Sequence, residues 1–423
     1  MSKGWLLVIG FPLLVIGSKA QTPESHRVTK VANTPDSGYS WPGMRATHFL
    51  RIDATAMYDA NALRNDLVTA LYRGGYISRE LRQRSEGTST DINRAGYALE
   101  ATLSYSWGDT LFGSATMRPR LSVAYRDLMG MRYADDLYHA TFFGNGDHEN
   151  NWMYLGPSAF EKVRYQSFGF GLEDIKSGSY LMAHVVSGQD LSAADITRAD
   201  LFTATDGQYL RMELDGNYAR SEDDGIADWR SRGIGAALSF RVNASLPLCK
   251  HSLAFSLGVE DLGAIAWNDR SLRVPRDTTI LYDGIRVDDV LNIDGVLIDR
   301  NGLQDTLGLG YEAGAFLRPL PTKLYAGFGY EGAFAMRYAA DVDVRNLPGY
   351  RPHAVFSARH AYRNNAFRAE VSFGGFGGWR AGLGAERVFG KHFQLDLHLP
   401  NLIGMVSENA RGRAVMLGAG YSW

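Results

Sequence analysis

The sequence predicts an all-β transmembrane fold: a single antiparallel outer-membrane β-barrel of about 14 strands, with 16 as the alternative, preceded by a short helical segment. Three observations predict it. Apolar and polar residues alternate with a period of two through most of the chain, and the chain opens on an export leader with no later apolar stretch of comparable length. Its 423 residues also combine 47 Gly, 22 Tyr, 20 Phe and 8 Trp with only 13 Pro, a mixture suited to pleated strands, close backbone approaches and aromatic girdles.

Composition removes the other classes. At 45% hydrophobic and 21% charged, the chain is neither disordered, collagen-like nor a polytopic helical membrane protein. A net charge of −2 gives no bulk attraction to nucleic acid, so no nucleic-acid partner is expected. The 44 basic residues divide into 36 Arg and 8 Lys. Arginine suits carboxylates in confined places, although base composition produces the same bias. Cys249 is the only cysteine, which excludes an intramolecular disulfide and a cysteine zinc site; no cofactor and no metal are expected.

Taken in order, Lys3, the apolar stretch Trp5 to Gly17 and Ser18-Lys19-Ala20 have the layout of a signal peptide cleaved near Ala20. The stretch falls short of the roughly 20 residues of a spanning helix. The expected organisation is therefore a leader over 1–20, an N-terminal segment over 21–95 and a barrel over 96–423. Within 56–85, Met57, Leu63, Leu67, Ala70, Leu71, Ile77 and Leu81 recur at helical spacing, broken by Gly74-Gly75. Two short helices are expected there, as a hatch in the lumen or against the periplasmic rim. A further weak helix is expected over 133–143.

Alternation marks strands at 45–53, 97–107, 119–127, 163–172, 179–187, 209–219, 233–246, 251–260, 307–317, 322–331, 353–362, 366–374, 379–389, 392–399 and 413–423. Fifteen is odd, and such barrels usually hold an even number. The surplus is assigned to 45–53, read as a plug or periplasmic piece, with an unseen strand near 138–145 as the other solution. With 413–423 running toward the periplasm, the short turns 247–250, 319–322, 363–365 and 390–391 are periplasmic, and 261–306 and 332–352 are long outer loops. The first of these loops is acidic, and Asp299-Arg300-Asn301-Gly302 lacks the ligand set of a calcium loop.

The last strand resembles the signal by which the barrel-assembly machinery recognises its clients, with Gly418, Tyr421 and Trp423 in the expected places and Met416 where a polar residue is usual. The segment SLGVEDLGAIAW from Ser256 to Trp267, with Arg126-Asp127-Leu128-Met129-Gly130 and Pro400-Asn401-Leu402-Ile403-Gly404, resembles the strand-exit (D/N)LG motif of FadL-type and PorV-type barrels. Together with Gly74-Gly75-Tyr76-Ile77 and Gly144-Asn145, the chain resembles an uncharacterised Gram-negative outer-membrane barrel family of that kind. The resemblance implies a 14-stranded barrel and either movement of small hydrophobic molecules or service in a secretion machine. It carries over no functional residue.

Function is read from the inward faces. Glu100, Arg211, Glu213, Asp215, Arg241, Glu331, Arg368, Glu370, Arg380, Glu386, Asp396 and His398 fall on the polar faces of the expected strands, so that opposite charges can pair across a lumen. This points to a passive channel or transporter of small, including hydrophobic, molecules. The alternative is a non-transporting scaffold or secretion accessory, with Trp152, Trp229 and Trp267 at partner contacts. An enzyme is not expected, because Asp396 and His398 share a face without a nucleophile. The expected partners are outer-membrane lipid, the barrel-assembly machinery and a small hydrophobic ligand.

Overall fold

The computed structural model describes residues 48–74, 76–108, 116–222, 229–248, 251–282, 312–332 and 335–423. The leader, Cys249 and most of the acidic loop lie outside these residues. Fourteen strands form one closed antiparallel ring. In chain order they are β1 (His48–Ala60), β2 (Ile92–Trp107), β3 (Met117–Ala134), β4 (Ser158–Asp174), β5 (Tyr180–Thr203), β6 (Gly233–Leu248), β7 (His251–Trp267), β8 (Lys323–Glu331), β9 (Met336–Arg345), β10 (Arg351–Tyr362), β11 (Asn365–Gly375), β12 (Arg380–Phe389), β13 (Phe393–Leu399) and β14 (Arg413–Ser422). Each pairs with the next, and β14 pairs back onto β1 from Phe49 opposite Ser422 to Tyr58 opposite Arg413. No described helix is long and apolar enough to cross a membrane.

The strand number follows the expectation, although the strands that make it up differ. Residues 45–53, set aside as a plug or periplasmic piece, contain the start of β1, which closes the barrel; the expected domain boundary at residue 95 therefore cuts through the ring. Residues 336–345, read as outer loop, form β9; the sequence MRYAADVDVR hides its alternation by placing Ala on both faces. In exchange, Leu210–Arg220 pairs with β5 and with Leu272–Tyr282 outside the ring, and Phe316–Pro319 pairs onto the end of β7. Residues 138–145 hold no strand but a helix over Asp135–Phe142.

One face of every strand is apolar and exposed. Leu50 and Ile52 on β1, Leu99 and Leu103 on β2, Phe168 and Phe170 on β4, Leu257 on β7, Phe367 and Phe373 on β11 and Leu417 on β14 all point outward, whereas their sequence neighbours are buried or polar. This is the lipid-facing band of a transmembrane barrel. The strand ends that bracket 108–116, 175–179, 249–250, 332–335, 363–364 and 390–392, all short in sequence, share one end with His48 and Trp423. The opposite end carries the long connections, and by the usual asymmetry it is the outer one. Turn 319–322 follows a strand end that pairs with the outer part of β7, so it lies at the outer end and not, as expected, at the periplasmic one.

Aromatic rings close the periplasmic rim at the β1–β14 seam. The His48 and Trp423 backbones exchange hydrogen bonds of 3.1 and 3.2 Å, and the Trp423 ring stacks on His48 at 5.2 Å and lies 5.4 Å from Tyr421. Higher on β14, a Cβ on Gly418 would overlap the Asp396 carboxylate. Gly418→Leu should therefore abolish the compact, heat-modifiable band on electrophoresis after refolding into vesicles. Gly378→Ala, where a Cβ meets open space, should keep it.

Three helices, α1 (Asn65–Arg73), α2 (Arg79–Glu86) and α3 (Asp135–Phe142), sit at the outer end. Leu63, Leu67 and Tyr138 pack against Ala60, Ala95 and Tyr133. These three strand residues continue the outward rows of Tyr58, Tyr97 and Met131, so the helices lie against the outside of the ring. The expected position, a hatch in the lumen or a cover on the periplasmic rim, is corrected: helical spacing reveals an apolar stripe but not which side of a barrel wall receives it. A fourth short helix, α4 (Leu402–Val406), joins β13 to β14 at the same end.

Candidate functional site

The inward faces fill the outer half of the lumen in two ways. One is a layer of charge. The Arg345 guanidinium donates to Glu100 at 2.8 Å, joining β9 to β2 across the ring. Arg126 stands 3.7 Å from Glu100 and 3.5 Å from Asp261 on β7, and the Tyr165 hydroxyl of β4 donates to Asp261 at 2.8 Å. Asp343 accepts from Tyr350 and stands 3.0 Å from the His353 ring.

The other is apolar. Leu320, Leu347 and Phe376, one from each of three inward-folded outer turns, are buried with Ala98, Leu128, Val163, Tyr165, Ile265 and Trp267. Phe376 reaches the far side of the lumen from its own strand. Its ring rests on Gly96 and Gly130, which face each other in register on β2 and β3, and a Cβ on Gly96 would overlap it. Tyr350 meets the ring edge-on at 5.1 Å. The turn that carries Phe376 reads Gly374-Gly375-Phe376-Gly377-Gly378-Trp379, and Gly374 and Gly375 adopt φ of 101° and 66°, a region closed to most side chains. Four polar contacts hold it: the Gly377 amide and the Arg380 guanidinium donate to Asp59 at 2.7 and 2.6 Å, Arg380 also donates to the Gly374 carbonyl at 2.9 Å, and Arg94 donates to the Gly377 carbonyl at 3.1 Å.

Below this filling, charged groups line one wall. Arg359 donates to Glu386 at 2.8 Å, Arg368 stands 2.9 Å from Glu370, His398 stands 3.0 Å from the same carboxylate, and Arg51 lies 3.9 Å from Asp396. Arg368 and Glu370 share β11, and each of the other three contacts reaches over one intervening strand, so none crosses the lumen. Asp53 and Met416 point inward at this level, with 44% and 38% of their surface free. This wall keeps open surface, whereas on β3 and β4 Arg118 and Glu173 are buried against each other at 3.4 Å.

At the outer end, Tyr218, Arg273, Phe316, Leu317 and Arg318, together with the carboxylates of Asp195 and Glu312, line a cavity of about 390 Å³. Arg318 also pairs with Glu161 on the inner face of β4. Arg318 thus touches both the cavity and the inner face of β4.

The sequence-derived residues divide accordingly. Glu100, Arg368, Glu370, Arg380, Glu386, Asp396 and His398 stand on inward faces with the partners just given. Arg241 donates to the Tyr325 hydroxyl at 2.5 Å, and Glu331 faces Arg337 in register. Arg211, Glu213 and Asp215 are corrected: they lie on Leu210–Arg220, outside the ring, where Arg211 pairs with Glu213 at 2.6 Å and Asp215 accepts from Thr197. Alternation placed them on a polar face but could not tell a wall strand from an outer extension. Sequence reasoning missed Arg345, which lay in the supposed loop, and Phe376, whose only signal was the paired glycines on both sides.

The three DLG-like segments have three structures. Asp261 is a β-bulge residue with φ of 56° that sends its carboxylate into the lumen. Asp127 faces outward at the upper edge of the apolar band, accepting from Tyr97 at 2.8 Å and from Arg164 at 3.0 Å. Asn401 caps α4 by accepting from the Gly404 amide at 2.9 Å.

A closed ring with a lipid-facing apolar band and a polar interior defines an outer-membrane β-barrel protein. No protein-family profile matches the chain. No curated protein matches it either. Among solved structures it is similar to a Pseudomonas aeruginosa FadL homologue (13% identity, 92% of this chain and 94% of that one, TM-score 0.39). It is also similar to a TodX monoaromatic hydrocarbon channel mutant (13% identity, 90% and 91%, TM-score 0.39) and to the translocator domain of the autotransporter NalP from Neisseria meningitidis (9% identity, 88% of each, TM-score 0.31). A FadL-type barrel, the kind its strand-exit motifs resemble, is thus among the matches.

Proposed function

We propose that the protein passes small apolar or amphiphilic molecules across the outer membrane through its own lumen, and that the turn 374–379 is the closure. The observation that carries this reading is the seating of Phe376: its ring, borne on a turn with two glycines on each side and packed with Leu320, Leu347 and Tyr350 of the other inward-folded turns, bridges the lumen onto a glycine pair. A barrel filled only for stability does not need its central apolar contact on so pliant a backbone. The outer cavity supplies the site of admission. Phe316, Leu317 and Tyr218 offer apolar surface, Arg273 offers a cation for an anionic head, and Arg318 joins the cavity to Glu161 on the inner face of β4.

The test is flux in proteoliposomes of the refolded protein, using a small aromatic carboxylate as solute, for the wild type, Arg318→Ala and a variant lacking residues 375–378. Flux should be highest in the deletion variant and measurable in the wild type, and Arg318→Ala should alter it at least about threefold. Empty-vesicle rates in all three would discard the reading.

The scaffold alternative keeps Trp229, which is 69% exposed, and Trp152 beside Phe202 at 5.3 Å. It loses Trp267, which is 1% exposed and belongs to the lumen filling.

A further inference from the structure

The outer helices carry an interaction surface separate from the lumen. The outward row of β1 runs from Leu50 through Ile52 to Tyr58, a span of nine residues and about the length at which a tilted strand has crossed the hydrocarbon. Immediately above it, the Tyr58 hydroxyl donates to the Leu63 carbonyl at 2.9 Å, and α1 begins. The helix thus lies outside the wall at headgroup height. On its last turn Leu71 and Tyr72 are 47% and 72% exposed, and Tyr76, beyond the helix, is 89% exposed. Beside it, α4 exposes Ile403 and Val406 at 58% and 82%, and the two helices are tied together by the Asn65 amide donating to the Gly404 and Ser407 carbonyls at 3.0 and 3.1 Å.

Charge accompanies this apolar edge. Arg73 and Arg79, both exposed, flank Tyr76, and no acidic partner for either is found among the described residues. Arg64 and Arg84, by contrast, are both engaged with Asp66. The one exposed acid on this stretch is Glu80, in the first turn of α2. Aromatic side chains at headgroup height, between unengaged guanidinium groups and continuous with the lipid-facing band, match the chemistry of a phosphate-bearing lipid surface.

We propose that α1, α4 and the residues Tyr76 to Arg79 form a one-sided collar that docks into the outer leaflet, with Leu71, Tyr72, Ile403 and Val406 among the acyl chains and Arg73 and Arg79 on anionic headgroups. The collar fixes the depth and tilt of the barrel on the β1–β14 side.

The test uses the full chain with Cys249→Ser and Tyr76→Cys, labelled with an environment-sensitive fluorophore. It is reconstituted in phosphatidylcholine vesicles with and without phosphatidylglycerol. Retention of the heat-modifiable folded form is the control for every variant. Spin-labelled lipid should quench the probe and aqueous iodide should not, and Arg73→Glu with Arg79→Glu should at least halve lipid quenching in the anionic vesicles only. Quenching by iodide in both lipids would overturn the docking. Lipid quenching that ignores charge reversal would overturn the choice of an anionic lipid.

Discussion

Phe376→Ala should raise single-channel conductance events in a planar bilayer by about a hundredfold in frequency over the wild type. The closed state holds this ring against Gly96, Gly130 and Tyr350 inside a fully packed cluster, and truncating such a phenylalanine removes about 3 kcal/mol or more of contact. If the open state exposes residue 376, that loss falls on the closed state alone, and each 1.4 kcal/mol changes an equilibrium tenfold. Gly378→Ala is the matched control, since a methyl there meets nothing. Phe376→Trp should also raise event frequency, because the glycine saddle has no room for a larger ring and the overpacking falls on the closed state. A folded Phe376→Ala barrel with wild-type events, in a wild type that conducts, would show that the turn is static filling. Silence in both, and in the deletion of 375–378, would remove the lumen as a route altogether.

The barrel was legible because its cause is local. A two-residue period with lipid on one side leaves its mark in every strand, and the even-number constraint exposes a miscount in the sequence itself. The strands exchanged in that count were those where the mark is weak or misleading. In β9, Ala339 and Ala340 fall on opposite faces and blur the alternation, while 210–220 alternates cleanly although its pairing is with an outer extension. The lumen charges were partly legible for the same reason: Glu100 and Glu370 alternate with apolar neighbours. What alternation cannot encode is which residues meet across a ring. Glu100 and Arg345 are 245 positions apart, and Phe376 meets Gly96 and Gly130 through a turn that read as a connector. The helices failed in a related way. Their stripe was real, but a barrel wall has two sides, and only the parity of Ala60, Ala95 and Tyr133 shows that the stripe lies on the outer one.

Glu100→Ala should be the most destabilising polar substitution in the lumen. Glu100 is the carboxylate between Arg345 and Arg126, and Arg126 then has Asp261 as its remaining close acid. Removing one partner from a buried pair typically costs about 3–5 kcal/mol, because the other charge stays desolvated without compensation. The carboxylate keeps 19% of its surface, so the lower end of that range, about 3 kcal/mol, is expected in urea unfolding from vesicles. The double variant Glu100→Leu with Arg345→Met should recover much of the loss, since an apolar pair of similar volume can replace a buried ion pair at little net cost. The exposed pair of Arg413 and Glu408 sets the scale at the other end: Glu408→Ala should cost under about 1 kcal/mol. The comparison separates two roles for the charge layer. If single and double variants are equally destabilised, the cross-lumen contact acts through its geometry, holding β2 and β9 at a fixed distance. If the double variant recovers stability and also changes solute flux, the layer is dispensable for holding the wall and serves selectivity. Phe376 and Glu100 then divide the labour, the ring closing the passage and the carboxylate setting its charge.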